Sequence, residues 1–128
     1  MGFLDRLLGA PAGAPVTPLH VETPEDLDAL LDDGGVPVLL YVWGNGCAPC
    51  NRMAEVIVDV ATRHAGKVRI AEASKESAGP LLASLEVRAT PTVIVYRQGE
   101  EIGRVSGFRP STWFDEMIAA ELRAGAAR

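Results

Sequence analysis

Apolar residues along the chain switch between a helical and an extended spacing, and the switches mark out its elements. Leu27, Leu30 and Leu31 share one helical face. They follow a start signal of Thr23, Pro24, Glu25 and Asp26: a capping hydroxyl, a proline at the first helical position, and acids at the positive end of the dipole. Gly34-Gly35 predicts the end of that helix. Val36 to Trp43 is then a nearly unbroken apolar run of strand length, as a strand buried on both faces requires, with Pro37 near its tolerant start. Met53, Val56, Ile57, Val60 and Ala61 return to helical spacing and predict an amphipathic helix closing near Gly66. A second strand over Lys67 to Ala73 follows, then a short helix over Ser77 to Leu85. Thr92–Arg97 and Glu101–Ser106 read as a hairpin turning at Gln98-Gly99-Glu100. Trp113, Phe114, Met117, Ile118 and Leu122 predict a last helix running from about Pro110.

Strand, helix, strand, helix, hairpin, helix is an α/β order, so a central mixed sheet with helices on both faces is expected. The loop Gly44 to Cys47 then leaves the carboxyl end of the buried strand, where open α/β sheets place their sites. Phe3 to Leu8 has the pattern of one or two amphipathic turns, and Gly9 to Pro18 reads as linker. The expected layout is an extension over 1–18, a domain over 19–124 and a tail over 125–128.

Composition narrows the function classes. The chain has 128 residues, 48% of them apolar, which fits one domain with its own core. A net charge of -5 without a cluster of Lys and Arg argues against nucleic acid, whose binding needs a concentrated basic patch. Two cysteines are too few for a disulfide-stapled secreted scaffold. No stretch approaches the apolar length of a membrane span, and the start lacks the pattern of a secretory signal, so a cytoplasmic location is expected. Gly2 does not fit myristoylation, because Arg6 stands where Ser or Thr is needed.

The candidate chemistry is Cys47-Ala48-Pro49-Cys50, placed between a strand and a helix. Unpaired amides and the dipole at a helix start stabilise a thiolate, which makes Cys47 the expected nucleophile. Lowering a thiol from about 8.5 toward about 7 is worth roughly 2 kcal/mol and brings it close to the optimum for attack at neutral pH. Cys50, one turn inside, is positioned to resolve. Pro49 fixes a helical φ and removes one donor, which holds the turn. The alternative is half of a zinc site. Beyond the pair, however, the chain offers only His20 in an early extended segment and His64 near a helix end, neither with ligand spacing. Both histidines read as surface or capping residues, and no metal is expected. Ala89-Thr90-Pro91-Thr92 opens the hairpin, and Pro91 is compatible with either a cis peptide in a tight bend or a plain trans bond at a strand start.

Trp43-Gly-Asn-Gly-Cys47-Ala-Pro-Cys50, then Thr90-Pro91-Thr92, Gln98-Gly99-Glu100 and Gly107 together resemble the thioredoxin family over roughly Leu19 to Leu122. The resemblance implies the thioredoxin fold and a protein-disulfide reductase. Cys47 would be the attacking thiol, Cys50 the resolving thiol, Pro91 the cis-proline after Thr90, and Trp43 the aromatic beside the site. It implies no bound cofactor beyond the redox-active Cys47–Cys50 disulfide. The implied partners are proteins carrying disulfides and a flavoprotein reductase; a monomer is expected. The sequence departs from the family pattern at four places. Gly46 replaces a Trp and Ala48 a Gly, while the family's buried aspartate falls on Tyr41 and its lysine partner on Glu72. Glu72 is thus a candidate internal proton acceptor, against an outward-facing place on a strand end. Oxidase or isomerase activity, or a binding module with a static disulfide, are the competing functions, since tens of millivolts separate the redox roles.

Overall fold

A computed structural model of the chain describes residues 15–32 and 35–126. The amphipathic turns expected over Phe3 to Leu8, most of the linker, the Gly34 stop signal and the last two residues of the tail lie outside them. The element order is β1 (Leu19–His20), α1 (Pro24–Asp32), β2 (Val38–Trp43), α2 (Ala48–Arg63), β3 (Arg69–Ser74), α3 (Gly79–Ser84), β4 (Thr92–Arg97), β5 (Glu100–Ser106) and α4 (Ser111–Ala126). The strands form one sheet in the order β1-β3-β2-β4-β5. β1 and β2 run parallel to β3, whereas β4 runs antiparallel to both β2 and β5.

The apolar run of β2 puts it at the centre of the sheet, and its alternate residues feed two separate cores. Val38, Leu40 and Val42 pack with Leu27 of α1 and Leu81 of α3. Leu39 and Tyr41 pack on the opposite side with Met53, Ile57 and Val60 of α2 and Phe114 and Ile118 of α4. α1 begins with a reciprocal cap: the Asp26 amide donates to Thr23 Oγ1 at 3.0 Å, and Asp26 Oδ2 accepts the amides of Glu22 and Thr23 at 3.0 and 3.1 Å.

Three details differ from the sequence reading. β1 is a strand of only two residues, too short to leave an alternation in the sequence, and it forms because its parallel register on β3 satisfies its backbone. The hairpin turn contains two residues, since Glu100 already pairs with Arg97. Gln98 and Gly99 take φ of 53° and 81°, the tight turn whose twist matches the flanking strands. The last helix continues beyond Leu122 to Ala126.

α2 carries the cysteines, so what fixes α2 matters for the site. Its C-terminal end is tied to α4 by Asp115, which lies 2.8 Å from His64 Nε2 and accepts from Arg63 Nη1 at 2.7 Å. The bond with His64 first, then that with Arg63, holds the Asp115 carboxyl below its ordinary value. A lowered folded-state pKa adds stability that is present above the unfolded value and lost as pH falls through the folded one. Asp115→Asn is therefore expected to lower the urea midpoint at about pH 6, with the gap to the parent shrinking toward about pH 3.

Candidate functional site

β2 ends at Trp43, and the chain turns through Gly44, Asn45 and Gly46 to Cys47, which is the residue capping α2. The Asn45 amide donates to Glu76 Oε1 at 3.1 Å and the Lys75 amide to the Trp43 carbonyl at 2.9 Å, which fastens this loop to the end of β3. Gly46 takes φ of +70°, left-handed backbone that suits glycine, with nothing within 4 Å of where a Cβ would stand. This explains a departure from the resembling pattern, because a Trp here would carry a conformational cost in an otherwise open place. Pro49 lies in the first turn of α2, as its missing amide proton and fixed φ favour.

Cys47 and Cys50 form a disulfide, with Cα atoms 5.2 Å apart. Cys47 is half-buried, while Cys50 is only 3% exposed. The Cys50 amide donates to Cys47 Sγ at 3.2 Å, and the amides of Cys50 and Asn51 both point to the Cys47 carbonyl, at 3.1 and 3.3 Å. In the oxidised pair that sulfur already accepts an amide at the positive end of the helix dipole. The outer sulfur is thus electrostatically favoured and accessible, and the inner one is shielded.

The Thr90-Pro91 bond is cis, and Pro91 is buried. Thr92 pairs with Val42, so the bend lies on the sheet rim from which β2 leads to the cysteines. Gly107, at φ +90°, donates its amide to the Pro91 carbonyl at 2.8 Å and brings the end of β5 to the same rim.

Beneath the pair, Tyr41 takes a role its residue type did not announce. Its hydroxyl is buried and donates to the Cys50 carbonyl at 2.8 Å. Burial, with a smaller contribution from the charge of Glu72, pushes it up to about 12, so it remains a neutral donor. Glu72 does not point away on a strand end. It stands in register with Tyr41, its side chain 20% exposed, and Oε1 accepts from Trp43 Nε1 at 2.6 Å. Cys50, Tyr41, Trp43, Ile57 and Glu72 border one apolar groove of about 370 Å³. Glu72 Oε2 lies 2.6 Å from Nδ1 of His20, whose Nε2 lies 2.8 Å from Glu22. Sequence reading left His20 as a surface residue, and the register of β1 on β3 is what joins it to the site. His64 caps the end of α2, far along the helix from the pair. Among the described residues, no group of three or more His, Cys, Asp and Glu side chains could hold a metal, and no helix is long and apolar enough to cross a membrane.

The model of the thioredoxin family matches residues 18–120, most of the chain, and spans both cysteines and the cis-proline. The chain belongs to the thioredoxin family. Similar proteins include thioredoxin 1 of Nostoc sp., 26% identical over 70% of this chain and 84% of its own length. A thioredoxin of Staphylococcus epidermidis is 30% identical over 78% of this chain and 94% of its own. The fold is similar to that of a Malassezia sympodialis thioredoxin, with a TM-score of 0.73, 19% identity and coverage of 84% of this chain and 93% of the other. It is also similar to the oxidised mitochondrial thioredoxin 3 of Saccharomyces cerevisiae, with a TM-score of 0.72, 17% identity and coverage of 80% and 94%. This thioredoxin-family protein is a thiol–disulfide oxidoreductase acting on protein disulfides, and its redox group is the Cys47–Cys50 pair of its own chain.

The geometry at Gly46 sets an expected outcome. Gly46→Trp should fold and form the disulfide but lose about 1–2 kcal/mol in urea unfolding, the cost of left-handed backbone at a residue with a side chain. An unchanged midpoint would contradict the assignment of the departure to backbone conformation.

Proposed function

We propose that Cys47 is the attacking thiol and Cys50 the resolving thiol of a protein-disulfide reductase. The observation that carries this is the Cys50 amide bonded to the half-buried Cys47 sulfur at the start of α2. The Cys47 thiolate attacks one sulfur of a partner disulfide, forming a mixed disulfide and releasing the other partner sulfur as a thiolate. Cys50 loses its proton and attacks Cys47 Sγ. The Cys47–Cys50 bond forms, the bond to the partner breaks, and two electrons have passed to the partner. Glu72, in the groove that Cys50 borders, is the acceptor of that proton, and Tyr41 holds the Cys50 backbone while it moves. Trp43, Pro49 and Thr90, each partly exposed, form the rim against which a partner chain lies, and the buried Pro91 fixes the bend beneath it.

A flavoprotein reductase as electron donor, a monomeric state, and a cytoplasmic place in a bacterial cell belong to the same reading. The bacterial thioredoxins among its relatives support it. The same reading takes a domain over 19–124 with an extension over 1–18 and a tail over 125–128, which the family match over residues 18–120 supports.

Trapping the intermediate tests the two roles. Cys50→Ser should accumulate covalent, dithiothreitol-sensitive adducts with disulfide-bearing proteins such as insulin, and the Cys47→Ser, Cys50→Ser pair should capture none. Cys47→Ser alone should reduce insulin no faster than background. Adducts formed as readily by the double variant, or insulin reduction retained by Cys47→Ser, would overturn the assignment.

A further inference from the structure

Three strands present one row of side chains to the Cys50 end of α2. Parallel register sets His20 on β1 beside Glu72 on β3, and Glu72 beside Tyr41 on β2. The His20 ring meets a carboxylate at each nitrogen, Glu72 Oε2 at 2.6 Å and Glu22 Oε2 at 2.8 Å. An ionised carboxylate only accepts and a neutral imidazole has one N–H, so both contacts are satisfied together only by the imidazolium. The bond to Glu22 and then that to Glu72 raise the His20 pKa above 6.5. Asp26, at the start of α1, also feels the His20 charge, while the Tyr41 hydroxyl stays neutral. Apart from Cys50 itself, the α2 residues along this groove, Asn51, Ala54, Ile57 and Val58, carry no ionisable group. The His20 side chain is 51% exposed and that of Glu72 20%, so the imidazole gives the carboxylate it touches its more solvent-exposed edge.

We infer that His20, held by Glu22, is the positioning residue through which Glu72 passes to solvent the proton it takes from Cys50, an inference that rests on Glu72 being the acceptor. When the Cys50 S–H proton moves to Glu72, one of the two negative charges holding the imidazolium disappears. The ring's proton affinity falls, and the coupled pair sheds one proton to water at the exposed imidazole edge, so the transfer from Cys50 is drawn forward only as the ring releases that proton. It then returns to carboxylate and imidazolium, ready for the next turnover. The sulfur chemistry is unchanged: Cys50 bonds to Cys47, and the partner leaves as a thiolate. His20 touches none of the reacting atoms and acts through Glu72.

Stopped-flow reaction of the reduced full chain with an aryl disulfide separates the two steps, because one arylthiolate leaves on Cys47 attack and a second on Cys50 resolution. In His20→Ala the first phase is expected to be unchanged. The second should slow by at least about fivefold near neutral pH, less than the roughly hundredfold or more for a directly positioned base. Its pH profile should lose a step lying above 6.5, the ordinary His value, and added imidazole should restore the rate. Glu72→Gln should slow the second phase more strongly, with no rescue by imidazole. If Glu72→Gln is slow but His20→Ala resolves at the parent rate, or is slow without imidazole rescue, the role of His20 is overturned and Glu72 stands as acceptor. If Glu72→Gln resolves at the parent rate, both fall.

Discussion

The cap of α2 is the interaction on which the site depends. Cys47 closes the loop leaving β2 and starts the helix, so one residue inherits an accessible position from the sheet rim and the Cys50 amide from the helix end. Moving the sulfur by one residue in either direction would separate these two properties. The rest of the fold serves this junction. The central place of β2 fixes where the loop emerges, and packing of α2 on Phe114 and Ile118, with the Asp115 clasp at its far end, fixes where the helix points.

A second constraint follows from filling the space beneath the pair differently from the family pattern. With Tyr41 in place of an acid, the buried position next to Cys50 holds a neutral donor that braces backbone, and the carboxylate is one strand over at Glu72. A carboxylate there sits closer to the sheet edge, bonded to Trp43 on one side and to His20 on the other. Charge that would be costly deep in the core is thereby placed where a second titrating group and solvent can balance it.

Much of the fold is legible in the sequence because periodicity and start signals are local. The buried run of β2, the face of α2 from Met53 to Ala61, and the Thr23 cap each specify their element without help from distant residues. The cysteine spacing at a strand-to-helix junction is equally local, and it carried the reading of the site. What was not legible depends on register or on backbone angles. His20 reaches Glu72 across 52 residues of chain through parallel pairing, which no local pattern encodes. The φ of Gly46 could not be told from any other loop glycine, and a two-residue strand leaves no alternation to detect.

The central claim is that the α2 N-terminus stabilises a thiolate at Cys47. Titrating the reduced chain by the ultraviolet absorbance of the thiolate, with Cys47→Ser as reference, measures this directly. A Cys47 pKa well below the ordinary thiol value of about 8.5 is expected. A value at or above about 8.5 would mean that the Cys50 amide and the helix end confer no charge stabilisation on Cys47 Sγ, and would contradict it.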